Sequence, residues 1–207
     1  AVNIGTATRN SICDDATTGS ITFRGGSNNA NFYGIAVAGS GTVDCRNNTI
    51  GSVTTTSSVS LATHITGILS TNTGTITISN NIIGSETIAN SLNASSVSGT
   101  TGVQLVYGIN NTGAGTLTIS SNTIANLTNG TTNSSVVRLN AINGIRSNAG
   151  TVTVTDNIIH DLLISSANTS TTVVSACGLA LSGVSLPKTV TGNLIYNISN
   201  NFSGYDG

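Results

Sequence analysis

The sequence predicts an all-β chain wound as a parallel β-solenoid of about six coils, and three observations carry that prediction. A ten-residue phrase, Gly74-Thr-Ile-Thr-Ile-Ser-Asn-Asn-Ile-Ile83, returns at 41–50, 115–124 and 150–159, with shorter forms at 5–8 and 188–195. Self-similarity at this spacing marks a chain built from stacked units. Within the phrase, Ile76 and Ile78 alternate with Thr75 and Thr77, the two-residue period of a strand with one buried face. A second signature precedes each phrase after the one at 5–8: Gly34-Ile35, Gly67-Ile68, Gly108-Ile109, Gly144-Ile145 and Gly178-Leu179.

Along one coil, the first strand is the phrase, with Ile, Val or Leu inward and Thr outward. The asparagine after it, at Asn48, Asn81, Asn122, Asn157 and Asn193, is expected to stack into a ladder whose amides satisfy backbone groups at the bend. Ile50, Ile83, Ile124, Ile159 and Ile195 follow two residues later. A third apolar position at Val53, Leu127, Leu162 and Ile198 marks another strand. The Thr- and Ser-rich stretches 54–60, 89–101, 128–135 and 165–172 are expected to be corner loops, where insertions in a solenoid collect. Each Gly-Ile pair then opens the last strand of the coil, glycine giving the backbone freedom to turn in.

Composition narrows the function. Only 6% of the residues are charged and the formal net charge is −1, so no basic surface is available to track the phosphates of a nucleic acid. Hydrophobic residues make up 37%, enough to fill a narrow core, and the repeat runs through 1–207 as one domain. There is no apolar run long enough to span a bilayer and no basic-then-apolar leader, so an exported chain is here in mature or excised form. A surface with so little charge suits self-association or a cover of glycans. Cys45 takes the place of Ile78, Ile119 and Val154 and reads as a small buried hydrophobe. A bridge from it to Cys13 stays open, and Cys177 is left over. The absence of Cys-x-x-Cys and the distance between His64 and His160 argue against zinc.

These coils resemble the right-handed parallel β-helix proteins of the pectin-lyase-like type, common among extracellular bacterial proteins, over nearly the whole chain. The resemblance implies a right-handed coil and an extracellular or cell-surface setting. It does not choose an activity, because the scaffold serves lyases, hydrolases, adhesins and fibres. Members that cleave polyuronides group several Asp on adjacent coils, whereas Asp14, Asp15, Asp44, Asp156, Asp161, Asp206 and Glu86 are scattered here. The densest set is Asp156, His160 and Asp161. His160 replaces Gly84 and Ala125, and Asp161 replaces Asn126 and Asn197, so the set reads as a solvated turn rather than an acid-base pair. No catalytic residue, metal or cofactor is assigned.

The ends suggest a use. The chain starts at the entry to a phrase and stops in mid-coil, uncapped at both ends. Tyr205-Asp-Gly207 written ahead of Ala1-Val-Asn-Ile-Gly-Thr6 reads as another coil, comparable to the internal one that begins at Tyr33. The expectation is a head-to-tail junction between Ala1, Val2, Ile4, Gly5 and Thr6 of one unit and Phe202, Tyr205 and Gly207 of another, as stacked subunits or as modules of a longer chain. The same match at the ends follows if the chain is a segment cut from a longer solenoid. The expected role is a non-enzymatic extracellular structural protein that builds a filament. An alternative is ice binding by the outward Thr75, Thr77, Thr116, Thr118, Thr151, Thr153, Thr189 and Thr191, which resembles the Thr-x-Thr face of β-helical antifreeze proteins. Another is binding or degradation of a polysaccharide. Sequons at Asn93, Asn129, Asn133 and Asn168 fall in the expected corner loops and are the accessible candidates for glycosylation.

Overall fold

A computed structural model describes residues 1–14, 16–25, 29–57, 62–96, 102–131, 140–166, 174–183 and 186–202. Among these residues there is no helix, and every strand pairing is parallel. The first face has six strands: Val2–Ile4, Val43–Arg46, Thr75–Ser79, Thr116–Ser120, Thr151–Thr155 and Lys188–Thr191. The third has five: Ala30–Val37, Thr63–Ser70, Gln104–Asn111, Ala141–Ser147 and Ala176–Leu181. The second face lies between them in chain order, and each strand pairs with its counterpart one coil on. The chain is a parallel β-solenoid. From the first to the last strand of the third face it completes about four turns, with partial coils before and after. Counting copies of the phrase overstates the turns, because its first and last copies lie in those partial coils.

The core is a set of aliphatic columns running along the stack. On the first face Val43, Ile76, Leu117 and Val152 form one and Cys45, Ile78, Ile119 and Val154 the next. On the second, Ile50, Ile83, Ile124 and Ile159 are stacked, then Val53, Leu92, Leu127 and Leu162. Each buried isoleucine or leucine contributes roughly 1.5–3 kcal/mol, so like-on-like stacking holds the register as well as the fold.

The second face differs between coils. In the early coils it is broken, as in Thr49–Ile50 followed by Val53–Ser57 and Ile82–Gly84 followed by Leu92–Ser96. In the later ones it is continuous, as Thr123–Asn129, Ile158–Ile164 and Leu194–Asn200. The chain bends here at one residue with left-handed backbone, Ser52 (φ 56°) where Thr49–Ile50 and Val53–Ser57 are broken apart and Asn126 (φ 57°), Asp161 (φ 54°) or Asn197 (φ 52°) where the face is continuous. Asn and Asp tolerate this conformation better than other side chains. The expected corner loops are thus partly strand: 54–57, 92–96 and 128–129 are paired, with Thr55, Ala94 and Asn129 fully buried. Residues 89–91, 130–131 and 165–166 of those loops lie outside the strands, and 58–60, 97–101, 132–135 and 167–172 lie outside the described residues.

The glycines of the Gly-Ile pairs serve space rather than turning. Gly108 does not have left-handed backbone. A Cβ placed on it would stand 2.5 Å from Ile124 Cγ2, across the core, and 2.5 Å from the Gly144 carbonyl oxygen. Gly34, Gly67 and Gly144 meet the facing isoleucines Ile50, Ile83 and Ile159 in the same way. The column of glycine makes room for the column of isoleucine.

Candidate functional site

Three features could carry function: the asparagine ladder, the outer side of the first face, and the two ends of the stack. In the ladder, Asn48 donates both its backbone N–H (2.9 Å) and its Nδ2 (2.8 Å) to Asn81 Oδ1 one coil on. Asn81 does the same to Asn122, Asn122 to Asn157, and Asn157 to Asn193. Each Nδ2 also reaches back one coil, as from Asn122 to the Ile78 carbonyl and from Asn157 to that of Ile119. Asn10 extends the file, its Nδ2 donating to Asn48 Oδ1 at 2.8 Å. Counting from the Gly-Thr start of the phrase hides Asn10, because 5–9 holds three residues more than the equivalent stretch 46–47. Every donation from one asparagine to the next runs the same way, towards the C-terminal end.

On the first face, Thr75, Thr116 and Thr151 form one outward file, and Thr77, Thr118, Thr153 and Thr189 the next. Thr189 therefore stands beside Thr153 and Thr191 beside Thr155, one place along from the positions expected from the sequence. The last copy of the phrase is two residues shorter between Val190 and its Gly-Thr equivalent, and the stacking of Val190 on Val154 and of Asn193 on Asn157 sets the register. Thr6 and Thr8 lie beyond the strand Val2–Ile4 and belong to no file. Asp44 interrupts the second file and is neutralised by Arg46, whose Nε donates to Asp44 Oδ1 at 2.6 Å.

The ends differ from the interior by exposure. Val2 is 56% exposed, Ile4 is half-buried, and Ala1 and Thr6 are exposed. At the other end Phe202 is half-buried, its N–H bonded to Asn200 Oδ1 at 3.0 Å. Tyr205 and Gly207 lie outside the described residues, as do Asn133 and Asn168 among the sequons. Asn93 is half-buried within a strand. Asn129 is fully enclosed, its Nδ2 donating to the Gln104 and Ala141 carbonyls, so the fold leaves no room for a glycan there.

His160 is not in a solvated turn. It is buried, stacked on Tyr196 with ring centroids 4.8 Å apart, and its Nδ1 lies 2.6 Å from Asp161 Oδ2. The hydrogen bond from His160, joined by one from Asn197, holds the Asp161 carboxyl below its ordinary range. No third catalytic group is placed beside this pair among the described residues, and none of their His, Cys, Asp and Glu gather in threes. All three cysteines are free. Burial, with the Asp44 carboxylate adding to it, pushes the Cys45 thiol up to about 12.

No family model, curated protein or solved structure matches the chain. The likeness to pectin-lyase-like proteins accordingly extends to the parallel solenoid and stops there. No helix among the described residues is long and apolar enough to cross a membrane.

Proposed function

We propose that this chain is a structural β-solenoid subunit or module of an extracellular surface fibre, which stacks head to tail on further copies of itself or on neighbouring modules of a longer chain and catalyses no reaction. The reading rests on the last coil. Val190 and Ile195 continue core columns in which Val154 and Ile159 are completely buried, yet they are 45% and 40% exposed. Another parallel coil laid on this edge would bury them and continue the backbone ladder.

The opposite edge offers matching groups. With the register continued, Ile4 of a second copy stacks on Val190 and its Val2 on the stem of Lys188, while its Asn10 Oδ1 accepts from Asn193. Lys188 occupies the inward position of Val152, but its Nζ donates to the Gly150 carbonyl at 3.2 Å, which keeps the charge at the corner. Such a contact is heterologous and propagates. The charge-poor, Thr- and Asn-rich surface supports the extracellular setting.

Val190→Lys spoils one end and Val2→Lys the other. Sedimentation velocity and negative-stain microscopy should show filaments for the unaltered chain and single units for each variant. Mixing the two variants should give dimers, since one intact junction remains. An unaltered chain that stays monomeric at the highest attainable concentration, or a Val190→Lys chain that still forms filaments, would falsify the proposal.

The alignment of threonines into files favours a second reading, ice binding by the first face, with hydroxyls repeating about every 4.8 Å along the stack. It requires thermal hysteresis that disappears on Thr118→Tyr, a substitution that leaves both ends of the stack intact.

A further inference from the structure

The outer side of the third face is recessed midway along its strands. Thr66, Tyr107 and Asn143 occupy one outward file on the strands, yet they are only 2%, 9% and 5% exposed. Outward side chains that are nonetheless buried form the floor of a groove. Towards the C-terminal end this groove encloses about 600 Å³ and is lined by Leu105, Tyr107, Asn143, Arg146, Val174 and Cys177 among others. The volume suits a small ligand, and the walls are mainly apolar.

One polar group in it stands out. The Arg146 guanidinium carbon lies 5.6 Å from the centre of the Tyr107 ring, and Nη1 donates to Asn110 Oδ1 at 3.1 Å. A guanidinium carries five N–H donors, and it binds a carboxylate, sulfonate or phosphate through two of them at once. Arg46 has such a partner in Asp44, whereas no carboxylate of the described residues lies within 4.0 Å of Arg146. The cation thus faces an apolar groove with no anion of the described residues beside it. Tyr107 keeps its proton there, since burial raises its phenol and Arg146 only partly opposes the rise.

We propose that this groove binds a small amphiphile, with one anionic group held by Arg146 and an apolar body laid on Leu105, Tyr107 and Val174. Val190 and the strand Lys188–Thr191 are not among the residues that line it. Anilinonaphthalene sulfonate is a suitable probe, because it joins an anionic head to an apolar body and brightens when its rings leave water. Phenylnaphthylamine is its uncharged counterpart.

Fluorescence titration should show one saturable site per chain for the sulfonate. Arg146→Gln should weaken the sulfonate about tenfold or more, the loss of a charge-assisted pair, and leave the neutral dye within about twofold. Leu105→Asn should weaken both dyes. Val190→Lys should change neither, which separates the groove from the exposed core at the end of the stack. Unchanged sulfonate affinity in Arg146→Gln, or loss of binding in Val190→Lys, overturns the assignment.

Discussion

At the scale of single residues, chemistry here is decided by what stands one coil away. Gly108 and Gly41 look alike in the sequence, but a Cβ on Gly41 would meet nothing within 4 Å. Gly108→Ala should therefore cost about 1–3 kcal/mol or more through overpacking against Ile124, while Gly41→Ala should be close to neutral. Urea denaturation of the two variants measures the difference, and equal midpoints would contradict the steric role. His64 supplies a pH dependence. Burial holds its folded-state pKa below the ordinary 6.5. Between those two values the unfolded chain binds a proton that the folded chain does not, so stability falls as pH drops below 6.5. The same denaturation followed against pH should show a shallower fall for His64→Gln; an identical slope would assign the acid sensitivity elsewhere. Asp161 adds a further loss at lower pH, as its depressed carboxyl becomes protonated.

At the scale of strands, alternation was readable wherever one face is aliphatic and the other threonine. The first face and its inward columns follow from period two alone. The second face was harder, for two physical reasons. The eight residues 84–91 separate Ile83 from Leu92, so Leu92 is far from its phrase in sequence although it stacks between Val53 and Leu127. The inward positions nearest the corners are also polar, and Thr55 or Asn129 reads as loop until its neighbours in the stack are known. Thr55 Oγ1 is buried without a hydrogen-bond partner. Thr55→Val, which exchanges that hydroxyl for a methyl group, should raise stability by roughly 1 kcal/mol, and a lower melting temperature would show that the hydroxyl is satisfied. Register was misread at the ends because the count began at Gly-Thr. The stack is aligned by its asparagines, and the first and last copies differ from the others in the distance between the two.

At the scale of the whole molecule, stability is a sum over neighbouring coils, so the middle is held from both sides and the ends from one. Hydrogen exchange should be slowest in Thr75–Ser79, Thr116–Ser120 and Thr151–Thr155 and fastest in Val2–Ile4 and Lys188–Thr191. If copies stack, protection of the two end strands rises with protein concentration; uniform protection along the stack would remove the one-dimensional account. The fold was legible because repetition fixes it many times over. The candidate sites were less so: the groove depends on a recess that appears only when Tyr107 of one coil is brought beside Asn143 and Arg146 of the next.

The asparagine file also bears on symmetry. Because the bonds from asparagine to asparagine all run in one direction, the two ends of the molecule are chemically unlike, with backbone N–H of Asn193 at one and Oδ1 of Asn10 at the other. A twofold axis between like ends would set donor against donor or acceptor against acceptor. Translation along the stack satisfies both, and any filament so formed has a polarity, with two tips that need not grow at the same rate.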